Sequence, residues 1–112
     1  MRQWLVDPKL LCRKHLLGEH VELHMFIGTI KKGVSVDGYT EFGLLDPSKL
    51  YSRHEELVME MLKRGYGHYS PLDVIDISHC TTLKPRVNPE ANLVDLRYRC
   101  EECRKLQSAY ND

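Results

Sequence analysis

Between Leu11 and Lys32 the chain reads LCRKHLLGEHVELHMFIGTIKK, and this stretch constrains the fold more than any other. At helical spacing, Cys12, Leu16, Leu23, Ile27 and Ile30 form one apolar stripe, while Leu10, Leu17 and Val21 form a second on a different side. A helix apolar on two sides is usually a central one, with other elements packed around it. His15, Glu19, Glu22 and Phe26 sit beside the first stripe on neighbouring turns. Polar groups bordering a core are candidates for chemistry; the plainer reading is that Glu19 and Glu22 only solvate the helix.

The flanking segments read as an all-α fold, a single compact domain over residues 1–112 with about three helices joined by long loops. Met1 to Val6 is an extended arm, anchored by Trp4 and packed on the central helix. Asp7-Pro8 supplies an N-cap and a first-turn proline, and the helix runs to Lys31-Lys32 and stops near Gly33. Gly18, in mid-helix, costs about 1 kcal/mol relative to Ala and marks a close approach by backbone or ligand, or a tolerated defect. Val34 to Asp46 has no helical period and reads as a loop with a short extended piece. Pro47 to Arg64 is a turn and a second helix, with Ser52 and Glu55 as a capping pair and Leu57, Val58, Met61 and Leu62 facing the core. Tyr66 to Leu83 is loop-rich, with room for one helical turn. Asn88-Pro89-Glu90 opens a third helix whose Leu93, Leu96, Cys100, Cys103, Leu106 and Tyr110 make one apolar seam.

Composition narrows the classes. At 112 residues, 42% hydrophobic and 29% charged, the chain has enough apolar material for one core and none of the bias of a disordered segment. Its apolar runs are far too short for a membrane span, and the N-terminus lacks the apolar stretch of a signal peptide. We therefore expect a cytoplasmic protein with Cys12, Cys80, Cys100 and Cys103 reduced. Net charge is zero, yet through Val36 Arg2, Lys9, Arg13, Lys14, Lys31 and Lys32 outnumber Asp7, Glu19 and Glu22, which leaves room for a phosphate-binding face.

Two metal constellations are weak on spacing. His79-Cys80 with Cys100-x-x-Cys103 has zinc-type donors, but the second pair lies on the apolar seam, where a reduced Cys behaves as a small hydrophobe. His20-x-x-x-His24 puts two imidazoles on one helix face, but Glu22 is not directly after the first His as in metalloproteases. There is no glycine-rich phosphate loop and no serine nucleophile elbow. The N-terminal amine, whose intrinsic pKa is about 7.7 to 8.0, is a nucleophile able to attack an electrophilic sugar carbon when a carboxylate is at hand.

The arm MRQW, the run HLLGEHVEL with the glycine of MFIGTIKK, the segment EELVMEMLKRGY and the opening NPEANLVDL together resemble the phage endonuclease V family of pyrimidine dimer DNA glycosylases, small all-α repair enzymes. The resemblance implies a DNA N-glycosylase and abasic-site lyase whose nucleophile is the α-amine of Met1. Its catalytic glutamate is matched by Glu22, the histidine earlier in that helix by His15, and a phosphate-contacting basic residue by Arg2. It also implies β-elimination after imine formation, and a bent duplex with an extruded nucleotide. Two arginines of the best-known phage member correspond to Val21 and Met25 here, and its basic, aromatic-rich tail has no counterpart in Tyr110-Asn111-Asp112. The expected partner is double-stranded DNA carrying a dimer or another damaged or modified base. The expected state is a monomer needing no metal or organic cofactor, with Lys14, Lys31, Lys32 and Arg64 as further DNA contacts. Two rival readings are a non-catalytic nucleic-acid-binding domain and a metal-dependent hydrolase using His20 and His24.

Overall fold

Asp7 does start a helical turn, but a short one. Its carboxylate accepts the amide of Lys9 at 3.1 Å, and the 3-10 turn Pro8–Leu10 ends where Leu11 becomes extended (φ −89°, ψ 132°). The computed structural model, which describes residues 1–68, 70–80 and 84–111, thus divides the expected first helix: α1 is Arg13–Lys31, preceded by an extended Cys12. The break has a partner that sequence periodicity cannot show. The Arg64 guanidinium donates to the carbonyls of Pro8 (3.1 Å) and Leu11 (2.7 Å), so that part of the break is satisfied outside a helical ladder.

Along α1 the first stripe is buried as expected, with Phe26, Glu19 and His20 added to it. The second stripe is not. Leu10 and Leu17 are only half-buried and Val21 is 55% exposed. The reason lies in how few elements there are to cover α1: its chief partner is α3 (Leu50–Lys63), on one side. A short helix, α2 (Asp37–Glu41), replaces the expected extended piece in the loop after α1. At five residues it is shorter than two turns, too brief to leave a periodic signal.

Gly43 closes that loop at φ +72°, and a Cβ built there would lie 2.8 Å from the carbonyl oxygen of Arg86. Both the left-handed backbone and the contact exclude a side chain. Gly43→Ala is expected to lower unfolding free energy by about 1–3 kcal/mol, read from the urea midpoint at unchanged m-value.

The start of α3 is a second correction. The buried Asp46 carboxylate accepts the amide of Ser48 at 3.1 Å and its hydroxyl at 2.6 Å, capping the turn Pro47–Lys49 that leads into the helix. Ser52 lies inside α3 and its hydroxyl returns to the carbonyl of Lys49 at 3.4 Å, so Ser52 and Glu55 do not form a capping box. Leu57, Val58 and Met61 face the core as expected; Leu62 is exposed, and Leu50, Arg53 and His54 are buried in addition. Gly65, at φ +85°, ends the segment.

The connection after it holds one turn, Ser78–Cys80, while Tyr69 and 81–83 lie outside the described residues. The alternating run DVIDI within it, residues 73–77, forms no strand among the described residues. Tyr51 stitches this part to α3, donating to Asp73 O at 2.7 Å and accepting from Ile75 N at 3.0 Å.

Asn88 caps α4 (Pro89–Arg99) through a bond from the amide of Ala91 at 3.0 Å. The helix then breaks on Cys100 (φ −131°, ψ 112°), and α5 (Glu101–Asn111) follows. The expected single seam is therefore two: Leu96 and Cys103 are fully buried, Leu93, Cys100 and Leu106 partly, and Tyr110 is exposed. The whole is all-helical, with Trp4, Leu11, Leu16, Leu23, Phe26, Leu45, Leu50, Leu57 and Leu96 at its centre. Each large side chain so buried contributes about 1.5–3 kcal/mol. No helix among the described residues is long and apolar enough to cross a membrane.

Candidate functional site

The extended arm is tied down at nearly every residue. Gln3 N–H donates to Leu44 O at 2.8 Å, and the Gln3 side chain accepts from Asp46 N–H at 2.7 Å. Asn92 Nδ2 donates to Trp4 O at 2.7 Å, and Arg53 Nη1 to Val6 O at 2.7 Å. Leu5 sits at φ +55°, a conformation that costs a non-glycine residue about 1–2 kcal/mol and is held here by its surroundings.

That bend is organised by Glu19. Its carboxylate takes a two-pronged grip from Arg53, Nε to Oε2 at 2.6 Å and Nη2 to Oε1 at 2.9 Å, with both side chains almost fully buried. Burial pushes the Glu19 pKa up, while Arg53 and the amides of Trp4 and Leu5 pull it back. Glu19 is therefore neither a solvating residue nor free for chemistry; it is the buried anchor of the bent arm.

Glu22, one turn further, is different. Its Oε2 accepts the backbone N–H of Arg2 at 3.0 Å, and its side chain opens into a cavity of about 360 Å³ lined also by Arg2, Trp4, Lys14, His15, Gly18, Glu19 and Arg99. Three bonds separate that Arg2 nitrogen from the α-amine of Met1, whose side chain packs against the core. Gly18 has nothing within 4 Å of a would-be Cβ, so its missing side chain leaves open cavity wall rather than admitting another backbone.

Arg2 reaches across to α4, donating Nη2 to Asn92 Oδ1 at 2.6 Å, pairing with Asp95 at 3.1 Å and stacking 3.9 Å from the Trp4 ring centre. Trp4 also meets the His15 ring edge-on, centroids 5.7 Å apart. Burial lowers the His15 pKa, and Lys14 and Arg99 lower it further against a raising effect of Glu22.

The structure thus gathers Arg2, Lys14, His15 and Glu22 at one cavity. Lys31 instead pairs with Asp73 at 3.2 Å at the far end of α1, with Lys32 beside it in solvent. Arg64 is committed to Glu60 and to the carbonyls of Pro8 and Leu11. Sequence reasoning missed Arg99, Asn92 and Asp95, and the only signal for them was a polar face on the helix after Asn88-Pro89. A larger hollow, about 690 Å³, runs along Pro8, Glu56, Met59, Glu60, Leu62 and Lys63, but its two carboxylates are paired with Arg53 and Arg64.

Two clusters carry metal-type donors. Cys12, His15, Cys100 and Cys103 bring their donor atoms within 4.8 Å of one another, and so do His20, His24, His54 and His68. His79 and Cys80 belong to neither; Cys12 and His15 take the places expected for them beside Cys100 and Cys103. Burial pushes the Cys103 thiol up to about 12, and burial with neighbouring imidazoles pushes His20 down to about 4. A neutral imidazole is the ligating form.

A family model described as pyrimidine dimer DNA glycosylase matches residues 1–74, which takes in the arm, α1, α2 and α3 and stops before α4 and α5. Neither a curated protein nor a solved structure matches the chain.

Proposed function

Because the chain belongs to the pyrimidine dimer DNA glycosylase family, we propose that it is a DNA repair N-glycosylase that also cuts at the abasic site it creates, with the α-amine of Met1 as nucleophile and Glu22 as its carboxylate partner. The proposed substrate is double-stranded DNA carrying pyrimidine dimers or another damaged or modified base, acted on by a monomer in the cytoplasm.

One observation carries this reading: the hydrogen bond from Arg2 N–H to Glu22 Oε2 at 3.0 Å, which keeps the residue next to the free amine on an ionisable carboxylate at the rim of a cavity. The amine lone pair attacks deoxyribose C1′, the bond from C1′ to the base breaks, and the base leaves with that electron pair and a proton. The amine gives up a proton, and its lone pair then forms the C1′=N bond as the C1′–O4′ bond breaks, opening the sugar ring; O4′ leaves with that electron pair and takes up a proton. Removal of a C2′ proton then expels the 3′ phosphate oxygen, and water releases the amine. Positive charge grows near C1′ in the first step, and Glu22 stabilises it and moves the protons.

Phosphate contacts on this reading come from Lys14 and Arg99 at the cavity. Arg2 is held by Asn92 and Asp95 and chiefly positions the arm. Val21 and Met25 are half-exposed and apolar, so α1 adds no cation beside Glu22 at those two positions. With so few phosphate contacts, binding is expected to be weak and only shallowly salt-dependent, with a slope of about −2 in log K against log salt.

The test is imine trapping. Purified chain with an unblocked N-terminus, mixed with a duplex holding a single abasic site and borohydride, is expected to give a covalent adduct whose cross-linked peptide begins at Met1. Prior acetylation of the terminus should abolish it. No adduct from folded protein, under conditions that trap a known lyase, overturns the reading in favour of a non-catalytic DNA-binding domain.

A further inference from the structure

We propose that Cys12, His15, Cys100 and Cys103 bind a zinc ion that clamps the start of α5 to the start of α1. Two short motifs supply the donors, Cys12-x-x-His15 and Cys100-x-x-Cys103, and the fold brings them together from opposite ends of the chain. Zinc held tetrahedrally, with Zn–S about 2.3 Å and Zn–N about 2.0–2.1 Å, requires S···S edges of about 3.8 Å and S···N edges of about 3.6 Å. The structure has Cys12 Sγ to Cys100 Sγ at 3.8 Å, Cys103 Sγ to His15 Nδ1 at 3.5 Å and Cys12 Sγ to His15 Nδ1 at 3.2 Å.

Amides point at the sulfurs as they do where thiolate charge needs support: Cys12 N–H to Cys103 Sγ at 3.3 Å and Cys103 N–H to Cys100 Sγ at 3.5 Å. The break between α4 and α5 falls on Cys100 itself. With all four positions filled by protein the site is closed, which is the mark of a structural rather than catalytic zinc. Because His15 also forms a wall of the Glu22 cavity, against the edge of Trp4, the ion fixes that wall.

A different observation carries a second site. His20 and His24 on α1, His54 on α3 and His68 beyond it pack with ring centroids 4.9–5.2 Å apart. The Nε2 atoms of all four are buried and find no hydrogen-bond partner among the described residues. Buried polar nitrogens are rarely left so, and four converging on one point are satisfied together by one shared cation. Imidazole-only donors suit a divalent late transition metal such as zinc, nickel or cobalt. The set is closed and lacks a carboxylate, so it fastens α3 and the following loop to α1 and does not favour the rival hydrolase reading.

Cobalt titration of the full chain, purified without added metal and stripped by chelator under reducing conditions, tests both sites without reference to DNA cleavage. The first equivalent is expected to give the intense visible bands of tetrahedral cobalt together with a near-ultraviolet thiolate-to-cobalt charge-transfer band. The second is expected to give visible bands alone. Cys80→Ser should leave both; Cys100→Ser should weaken the charge-transfer band by at least about a third, and His24→Gln should remove only the second equivalent. Zinc-loaded wild-type chain should protect three of its four thiols from alkylation until chelator is added. If a variant fails to fold, the wild-type spectrum and thiol count still decide. Four freely alkylated thiols in folded, zinc-treated protein, with no charge-transfer band on cobalt addition, overturn the first site; saturation at one thiolate-bound equivalent overturns the second.

Discussion

Arg53→Ala is expected to cost about 3–5 kcal/mol, a large share of the stability of a domain this size. The size of the effect follows from what is left behind. Glu19 would keep its buried position but lose both guanidinium bonds, and the carbonyl of Val6 would lose a donor at 2.7 Å. An uncompensated buried carboxylate must take up a proton or draw in water, so the loss should be greatest at neutral pH and smaller in acid, where the carboxyl is neutral. The matched replacement separates stability from positioning. Glu19→Met with Arg53→Met removes both charges at similar volume and is expected to recover most of the denaturant midpoint. It does not restore the bonds that hold Val6 and the left-handed Leu5, so strand cleavage should remain depressed at least tenfold. A double variant that folds well and cleaves at the wild-type rate would show that the pair serves stability alone.

Much of this architecture was legible, and what was not has common causes. The pattern of Leu16, Leu23, Ile27 and Ile30 fixed the buried side of α1, because period is a local property. Asn88-Pro89 likewise marked a true helix start, whereas Asp7-Pro8 opened only the short turn Pro8–Leu10 and not α1. Misreadings arose where a distant group decides a local conformation. Arg64 satisfies carbonyls at the Leu11 break, Asp46 displaces Ser52 as the start of the second helical segment, and Cys100 ends α4 beside Cys12 from the other end of the chain.

The two glutamates on α1 illustrate the same limit at the site. Glu19 and Glu22 are both carboxylates on neighbouring turns, and helical periodicity offers them the same roles; only the family resemblance singled out Glu22. Their difference comes from Arg53 and the amides of Trp4 and Leu5, which hold one in the core, and from the backbone of Arg2, which meets the other at the cavity. The metal-type clusters were half visible: Cys100-x-x-Cys103 and His20-x-x-x-His24 are motifs, but Cys12, His15, His54 and His68 join them only through the fold.

Glu22→Gln is expected to lower single-turnover cleavage of abasic DNA by about 10²–10⁴-fold while leaving the fold intact. The amide keeps an oxygen able to accept the Arg2 N–H, so the arm stays in place and stability should change by no more than about 0.5 kcal/mol. On the proposed mechanism, what disappears is the negative charge facing C1′ and the group that relays protons. Glu22→Asp makes the complementary test: it keeps the charge but withdraws it by one methylene, which breaks the 3.0 Å contact and lets the terminus drift. Its cleavage should also fall, by roughly 10²-fold from misplacement alone. The pair of variants then separates two roles that the wild-type carboxylate combines. Equal, deep losses would mean that placement of the amine and charge at C1′ are both required. If Glu22→Gln instead cleaved at the wild-type rate while acetylated protein stayed inactive, Glu22 would be only the clasp of the arm, and the proton carrier would have to be another group at the cavity.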